Sequence, residues 1–208
     1  MIKNIVLVHG INDNGATFGP FRRDLESAGF RVFTPSLTPN NGKAPLEMLA
    51  DQLAVRINKF FGLTARLHVV GFSMGGLVAR HYVQEMGGYR RAVSLTTIAA
   101  PNHGTVWAFL NNRPGIRQMR PGSDFLVRLA ASEHRLAGLD VRAYWTPYDS
   151  TIVPARNCVW PRAENVRISS PLHHLMGNQP HLRADFLNWA TQRRETATMR
   201  VRMFADEV

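Results

Sequence analysis

The chain alternates short runs rich in β-branched residues with longer amphipathic segments, and this alternation restricts its fold more than any other feature. Such a pattern is typical of a mostly parallel sheet whose two faces are covered by helices. The predicted fold class is therefore α/β, with about six strands. Strands are expected at residues 2–8, 31–34, 67–72, 92–99 and 141–146, with a weaker strand at 165–169.

The segments between these runs carry the predicted helices. Gly29 and Gly62 follow the first two segments and are typical helix stops. The long connection 101–140 has room for roughly two or three short helices. Helices are predicted at residues 20–28, 46–61, 74–86, 124–131 and 181–193.

Length and composition favour a single globular domain. The chain has 208 residues, 45% hydrophobic and 19% charged, which is enough to bury one core. Residues 1–195 are predicted to form an α/β domain, and residues 196–208 a tail with no assigned structure. The single cysteine, Cys158, excludes an intramolecular disulfide framework. We recognise no secretory leader and no run of about 20 apolar residues, so we expect a cytoplasmic protein, or a secreted one if the chain is already processed.

The net charge is +10 at pH 7 and comes mainly from arginine. Such a charge favours approach to anionic lipid, acidic substrates or nucleic acid, although it also fits an ordinary basic surface. The arginines are scattered in pairs such as 90–91 and 193–194, without the interleaved aromatic residues of a nucleic-acid module. We therefore expect no nucleic-acid partner, and peripheral contact with anionic lipid surfaces remains open.

Ser73 lies where a strand pattern changes into a helix pattern, in V-V-G-F-S-M-G-G-L-V-A at 69–79. The G-x-S-x-G spacing is that of a nucleophile on a sharp strand-to-helix turn, where glycines avoid clashes. The turn also brings the hydroxyl near helix N–H groups that stabilise negative charge. An ordinary helix cap would explain the same serine. The nucleophile interpretation therefore requires a base, an acid and an oxyanion site elsewhere in the chain.

An oxyanion site can be placed at the end of the first predicted strand. This strand ends in V-H-G-I-N at 8–12, and Gly10 allows a sharp turn over the carboxyl edge of the sheet. The amides of Ile11 and Met74 could then converge on one oxygen. Without Ser73, the same residues would be an ordinary strand-ending turn.

A candidate acid follows a later strand. Asp149 lies in Y-D-S-T-I-V-P at 148–154, and parallel strands bring their carboxyl ends to one edge. The alternative is a turn aspartate that binds its own backbone. Asp124 and Asp140 are weaker candidates, because one begins a helix and the other precedes its strand.

Two adjacent histidines follow the last strand and complete the chain order Ser, Asp, His. His174 is preferred as the base, and His173 stays open as the alternative. A zinc site at His173, His174 and His181 is disfavoured, because neither the spacing nor an acidic partner fits. Candidate substrate-lining residues lie in loops at the same edge: His9, Asn12, His103 and Ile152.

Several motifs extend over most of the chain up to about residue 190: V-L-V-H-G at 6–10, H-V-V-G-F-S-M-G-G-L-V-A-R at 68–80, T-I-A-A-P-N-H-G-T at 97–105, R-P-G-S-D-F-L-V-R-L at 120–129, Y-D-S-T-I-V-P at 148–154 and H-L-M at 174–176. Together they resemble the bacterial lipase and esterase branch of the α/β-hydrolase family, especially small lipases with little or no cap. Such lipases commonly have T-P-H-x-G-T after the strand, whereas Asn102 and His103 stand in those places here.

The resemblance implies acyl transfer to water through an acyl-enzyme on Ser73, with a small-molecule ester or lipid as substrate. It implies no cofactor. Because the histidine base must be neutral, activity is expected to rise from about pH 6 to pH 8. A thioesterase or acyltransferase on the same triad, and a non-catalytic interaction protein with this fold, are the alternatives.

Apolar side chains in the long connection allow two interpretations. They could wall a lipid groove, but core-facing helices are the preferred explanation. The side chains concerned are Val106, Trp107, Phe109, Leu110, Phe125 and Leu126.

Overall fold

A single all-parallel sheet is the centre of the fold. The computed structural model describes the backbone of residues 3–205 and the side chains of residues 3–192. The strands in this part of the chain are β1 (Asn4–Val8), β2 (Arg31–Phe33), β3 (Leu67–Phe72), β4 (Ala92–Ile98), β5 (Asp140–Trp145) and β6 (Glu164–Arg167). They form a six-stranded sheet in the order β2-β1-β3-β4-β5-β6. The α/β class and the number of strands predicted from the sequence are confirmed.

The helices of the described backbone are α1 (Gly19–Ser27), α2 (Leu46–Phe61), α3 (Met74–Gln84), α4 (Pro114–Arg117), α5 (Asp124–Ala131) and α6 (Pro180–Ala205). The last helix continues past its predicted end at residue 193, so the predicted tail is helical as far as Ala205. The remaining tail residues, 206–208, lie outside the described residues. No helix of the described chain is long and apolar enough to cross a membrane.

Side chains of each strand alternate between two apolar cores. In β1, Val6 and Val8 pack with α2, α3 and α5, whereas Ile5 and Leu7 pack with α1 and α6 on the opposite face. All four side chains are fully buried. Burial on both faces explains why the strand reads as a continuous apolar run rather than an alternating one.

The parallel arrangement brings the loops of the candidate site together. Strand β3 lies between β1 and β4, with Gly71 opposite Val8 and Phe72 opposite Ile98. The turn containing Ser73 therefore emerges between the loops that follow β1 and β4. In open α/β sheets this carboxyl edge is where ligands bind.

A buried arginine fixes α3 to the loop after β4. Arg80 is 1% exposed, and its guanidinium lies 4.0 Å from the ring centroid of Trp160. It forms an ion pair with Glu133 at 3.2 Å and donates to the carbonyl of Asn102 at 3.2 Å. Burial lowers the pKa of Arg80 to about 10. These contacts fix the second half of the helix that begins directly after Ser73.

The long connection between β4 and β5 matches the prediction only in part. Phe125 and Leu126 of α5 belong to the core, as expected. The other four apolar side chains do not, because they lie in a short 3₁₀ turn, Val106–Leu110, in which Ala108 alone is buried. Their exposed fractions are 43% for Val106, 53% for Trp107, 57% for Phe109 and 77% for Leu110.

Candidate active site

Ser73 has an unusual backbone conformation between β3 and α3. Its φ of 53° and ψ of −126° lie in a region that side chains rarely adopt. The Ser73 N–H donates to the carbonyl of Ile98 at 2.8 Å. The hydroxyl lies 2.9 Å from a histidine nitrogen rather than over the amides of the first helical turn. The cap interpretation therefore does not describe this serine.

Two glycines allow the backbone to turn this sharply. A Cβ on Gly71 would lie 2.4 Å from the carbonyl oxygen of Gly75, and a Cβ on Gly75 would lie 2.3 Å from that of His9. Both distances are far below van der Waals contact. The G-x-S-x-G spacing is thus a steric requirement for packing the start of α3 against the ends of β1 and β3.

His173 joins Ser73 to Asp149. Its Nε2 lies 2.9 Å from the Ser73 Oγ, and its Nδ1 lies 2.8 Å from the Asp149 Oδ2. A carboxylate only accepts hydrogen bonds, so Nδ1 donates to Asp149 and Nε2 is left to accept from the serine hydroxyl. The ring packs against Phe72, with 5.2 Å between ring centroids. The three side chains form one continuous hydrogen-bonded chain.

The preference for His174 is corrected by this geometry. His174 is exposed, whereas His173 is buried against Ser73. Both residues lie in the 3₁₀ helix His173–Asn178, where successive side chains point about 120° apart. Only one of the pair can face the serine, and packing of the His173 ring on Phe72 determines which one.

Asp149 combines the two roles considered for it. Its Oδ1 accepts from the amides of Thr151 at 2.9 Å and Ile152 at 2.8 Å, as a turn aspartate does. Its Oδ2 faces His173. The backbone amides thus hold the carboxylate in position, so the turn aspartate and the acid are two roles of one residue rather than alternatives.

The turn after β1 lies directly beside Ser73. A Cβ on Gly10 would be 3.2 Å from the Ser73 Cβ, so a larger residue at position 10 would press on the serine. Met74 is the first residue of α3, and the first amides of a helix have no acceptor within it. The turn that precedes Ile11 and the first residue of α3, Met74, therefore both adjoin Ser73.

His9 lies beneath this turn rather than along a substrate path. It is 1% exposed, its Nδ1 lies 2.9 Å from the Gly10 carbonyl, and its Nε2 accepts from the Leu37 amide at 2.8 Å. Since Nε2 accepts, Nδ1 carries the proton and donates to Gly10. Burial lowers the pKa of His9. The prediction that His9 lines the substrate is corrected: it supports the carbonyl of the peptide whose amide belongs to Ile11.

A model of the α/β hydrolase family matches residues 5–205. The chain belongs to the α/β hydrolase family. Comparison with curated proteins gives no match.

Solved structures share the fold of this α/β hydrolase at low sequence identity. A gene product of Listeria innocua has a TM-score of 0.69 at 13% identity, over 89% of this chain and 92% of that one. The mature lipase BlEst2 of Bacillus licheniformis has a TM-score of 0.68 at 18% identity, over 89% and 92%. A thermophilic esterase from Thermogutta terrifontis has a TM-score of 0.64 at 20% identity, over 91% and 89%. These similarities establish the fold.

The remaining substrate-lining candidates of this α/β hydrolase have other surroundings. Ile152 is 2% exposed and contributes its amide to Asp149. Asn12 is exposed, and its N–H donates to the carbonyl of Asn40 at 3.0 Å. His103 is also exposed, and its N–H donates to the carbonyl of Asn157 at 3.0 Å. Ile152 is thus a positioning residue, whereas the side chains of Asn12 and His103 face solvent.

Metal-ligating side chains do not gather at this edge. Within the described residues, no group of three or more His, Cys, Asp or Glu side chains could hold a metal ion. His173 is occupied by Ser73 and Asp149, and the neighbouring His174 is exposed. The arrangement of residues at this edge is instead that of a hydroxyl, an imidazole and a carboxylate in series.

Proposed function

We propose that this α/β hydrolase is a serine carboxylic ester hydrolase that works through an acyl-enzyme on Ser73. The observation that carries the proposal is the position of His173, whose two ring nitrogens lie within hydrogen-bond distance of the Ser73 hydroxyl and the Asp149 carboxylate. A serine hydroxyl is a weak nucleophile until an adjacent base accepts its proton. His173 replaces His174 as the residue in that role.

Acylation begins when the Ser73 Oγ attacks the ester carbonyl carbon and His173 Nε2 takes the hydroxyl proton. Asp149 stabilises the resulting imidazolium and keeps Nδ1 protonated, so the lone pair of Nε2 faces the serine. His173 then gives its proton to the leaving alcohol as the carbon–oxygen bond of the ester breaks. The product of this half-reaction is an ester of Ser73.

Deacylation repeats these steps with water. His173 takes a proton from the water as its oxygen attacks the acyl carbon, and returns that proton to the Ser73 Oγ as the acid leaves. In both halves the carbonyl oxygen becomes negatively charged, and the amides of Ile11 and Met74 are the proposed donors to it. Hydrogen bonds that strengthen as this charge develops lower the barrier rather than merely bind the ester.

The substrate class follows from the chemistry of the site together with its relatives. Transfer of an acyl group from an alcohol oxygen to Ser73 needs no cofactor in this mechanism. Two of the structures with similar folds are named a lipase and an esterase, which supports the choice of an ester. We therefore propose a small-molecule ester or a lipid as the substrate.

An organophosphonate probe tests this proposal. We expect a single covalent adduct, mapped by mass spectrometry to the peptide containing Ser73, and no adduct in Ser73→Ala. A chain-length series of p-nitrophenyl esters measured beside acyl-thioesters then identifies the preferred acyl donor. An unlabelled Ser73 in folded protein would contradict the proposal, and faster turnover of thioesters than of esters would replace it with a thioesterase.

A further inference from the structure

The 3₁₀ turn Val106–Leu110, called the docking segment below, is an unusual surface feature. Four large apolar side chains within five consecutive residues are between 43% and 77% exposed. Single exposed apolar residues are ordinary, but contiguous ones mark surfaces that bind another apolar phase. The segment therefore needs an explanation other than packing.

The docking segment is attached to the loop that carries Asp149. The Trp107 indole N–H donates to the carbonyl of Ser150 at 2.9 Å, and the Val106 amide donates to the carbonyl of Val153 at 2.9 Å. The Thr105 hydroxyl, just before the segment, donates to the carbonyl of Thr151 at 3.0 Å. The apolar surface is thus held in place beside the candidate active site.

Other exposed apolar side chains lie at the same edge. Leu172 and Leu175 flank His173 in sequence and are 45% and 41% exposed, and Tyr148 beside Asp149 is 58% exposed. Together with the docking segment they make up seven of the twelve large hydrophobic side chains that are exposed in the described structure. Exposed apolar surface is therefore concentrated around the triad.

The surroundings of the docking segment carry positive charge. Residues 101–123 contain three arginines and no Asp or Glu. Arg113 and Arg117 are exposed, whereas Arg120 stacks on Phe109 at 5.2 Å and donates to the carbonyl of Ala108 at 3.0 Å. A cleft of about 530 Å³ adjoins the segment at Phe109 and is lined by three arginines, Arg117, Arg120 and Arg128, and by two carboxylates, Glu47 and Asp124. Apolar side chains bordered by arginines are complementary to an anionic lipid surface.

We propose that the docking segment inserts into the surface of a bilayer that contains anionic lipid, with Arg113 and Arg117 against the headgroups. This attachment holds the carboxyl edge of the sheet, and Ser73 with it, at the membrane surface. Docking itself does not require catalysis, but a membrane-resident ester as substrate rests on the proposed function. A second copy of the chain is a less suitable partner for the docking segment. A symmetric contact would bring the arginines of two chains, each with a net charge of +10, against one another.

Vesicle co-sedimentation of the full chain tests docking. We expect binding to phosphatidylcholine vesicles that contain phosphatidylglycerol, and weaker binding to phosphatidylcholine alone. Replacing Trp107, Phe109 and Leu110 together by serine should lower the partition coefficient at least about tenfold. Arg113→Gln and Arg117→Gln should each lower it about fivefold on anionic vesicles only.

A control variant that loses two positive charges at the opposite edge of the sheet distinguishes docking of the segment from general attraction of a basic protein to anionic vesicles. Lys59 lies in the last turn of α2 and Arg66 directly before β3, and both are exposed. Lys59→Gln with Arg66→Gln should leave the partition coefficient within about twofold, because charges beyond a Debye length are screened. An equal loss with this pair and with Arg113→Gln/Arg117→Gln would overturn the proposal.

The depth of Trp107 in the bilayer gives a direct readout of docking. Bromolipids should quench tryptophan fluorescence in the wild-type chain, and Trp107→Phe should remove most of that quenching while keeping the segment apolar. Ser73→Ala should bind vesicles as tightly as wild type, because docking does not require catalysis. A wild-type chain that binds vesicles but hydrolyses no ester would refute the proposed function and leave docking intact. Quenching that persists in Trp107→Phe, or a solution dimer that the triple serine variant dissociates, would overturn docking.

Discussion

The Nδ1 of His173 lies 2.8 Å from the Oδ2 of Asp149, and the Asp149 side chain has no exposed surface. This contact determines which ring nitrogen carries the proton, because a carboxylate offers acceptors only. The orientation of the imidazole toward Ser73 therefore depends on a group that does not itself contact the serine. The same contact provides the negative charge that a histidinium would need in a buried site.

Asp149→Asn should lower kcat by about 10⁴ while leaving the fold intact. The asparagine amide can donate to Nδ1, which favours the tautomer with its proton facing the serine. We would measure kcat on the best p-nitrophenyl ester and the thermal unfolding midpoint of both proteins. A variant that unfolds at the wild-type temperature and retains more than about a tenth of wild-type kcat would contradict the role of Asp149.

The two neighbouring histidines form a matched pair of variants. His173→Gln should reduce kcat/KM by at least about 10³ because the general base is lost. His174→Gln changes an exposed neighbour and should stay within about twofold of wild type. Both variants carry the same substitution at neighbouring positions, so a difference in kcat/KM between them reports the role of each histidine. The reverse order of effects would assign the base to His174.

The fold and the residue types of the candidate site could be predicted, but the histidine could not. The G-x-S-x-G spacing and the carboxyl-edge rule for parallel strands lead to Ser73 and Asp149 without coordinates. The choice between His173 and His174 depends on the rotation of a 3₁₀ turn against Phe72, which is a tertiary contact. Sequence spacing carries no information about that rotation.

The sequence also predicted only in part which apolar side chains of the connection after β4 are buried. A periodic pattern predicts packing only when a helix is long enough to present a face to the sheet. This holds for Phe125 and Leu126 in α5. It fails for the other four side chains of Val106–Leu110, because a five-residue 3₁₀ turn places only Ala108 in the core.

Gly75→Ala should destabilise the protein by about 1–3 kcal/mol or prevent folding. The added Cβ would lie 2.3 Å from the His9 carbonyl oxygen, which belongs to backbone and cannot easily move. Gly19→Ala is the control, since its Cβ would meet only the Arg23 guanidinium at 3.6 Å. Urea unfolding should place Gly19→Ala within about 1 kcal/mol of wild type. Equal stability of the two variants would show that the strand-to-helix turn at Ser73 does not require glycine at position 75.

The ion pair between buried Arg80 and partly exposed Glu133 should show measurable coupling in a double-mutant cycle. Arg80 is 2% exposed at its side chain, so Glu133→Leu would leave a buried cation without its counter-charge. We expect a coupling energy above about 1 kcal/mol for Arg80→Leu with Glu133→Leu. The control cycle uses Arg22 and Glu26, whose side chains are 48% and 41% exposed, and should give about 0.5 kcal/mol or less.

His9 should make the stability of the protein depend on pH in a defined direction. Burial lowers its pKa in the folded state, whereas an unfolded histidine has a pKa of about 6.5. The unfolded chain therefore binds the proton more readily, and His9 supports the fold above about pH 6.5. That support is lost as the pH falls below this value through the lowered folded-state pKa. Protonation would also remove the Nε2 lone pair that accepts from the Leu37 amide.

His9→Gln removes this titration, so its free energy of unfolding should fall less steeply than that of wild type below about pH 6.5. Urea unfolding of both proteins at a series of pH values measures the difference. The variant should also lose kcat with little change in KM. The Gly10 carbonyl loses the rigid Nδ1 donor of the imidazole, which would loosen the adjoining Ile11 amide, the proposed oxyanion donor. Parallel stability curves would contradict the titration of His9, and an unchanged kcat would contradict its role in positioning that amide.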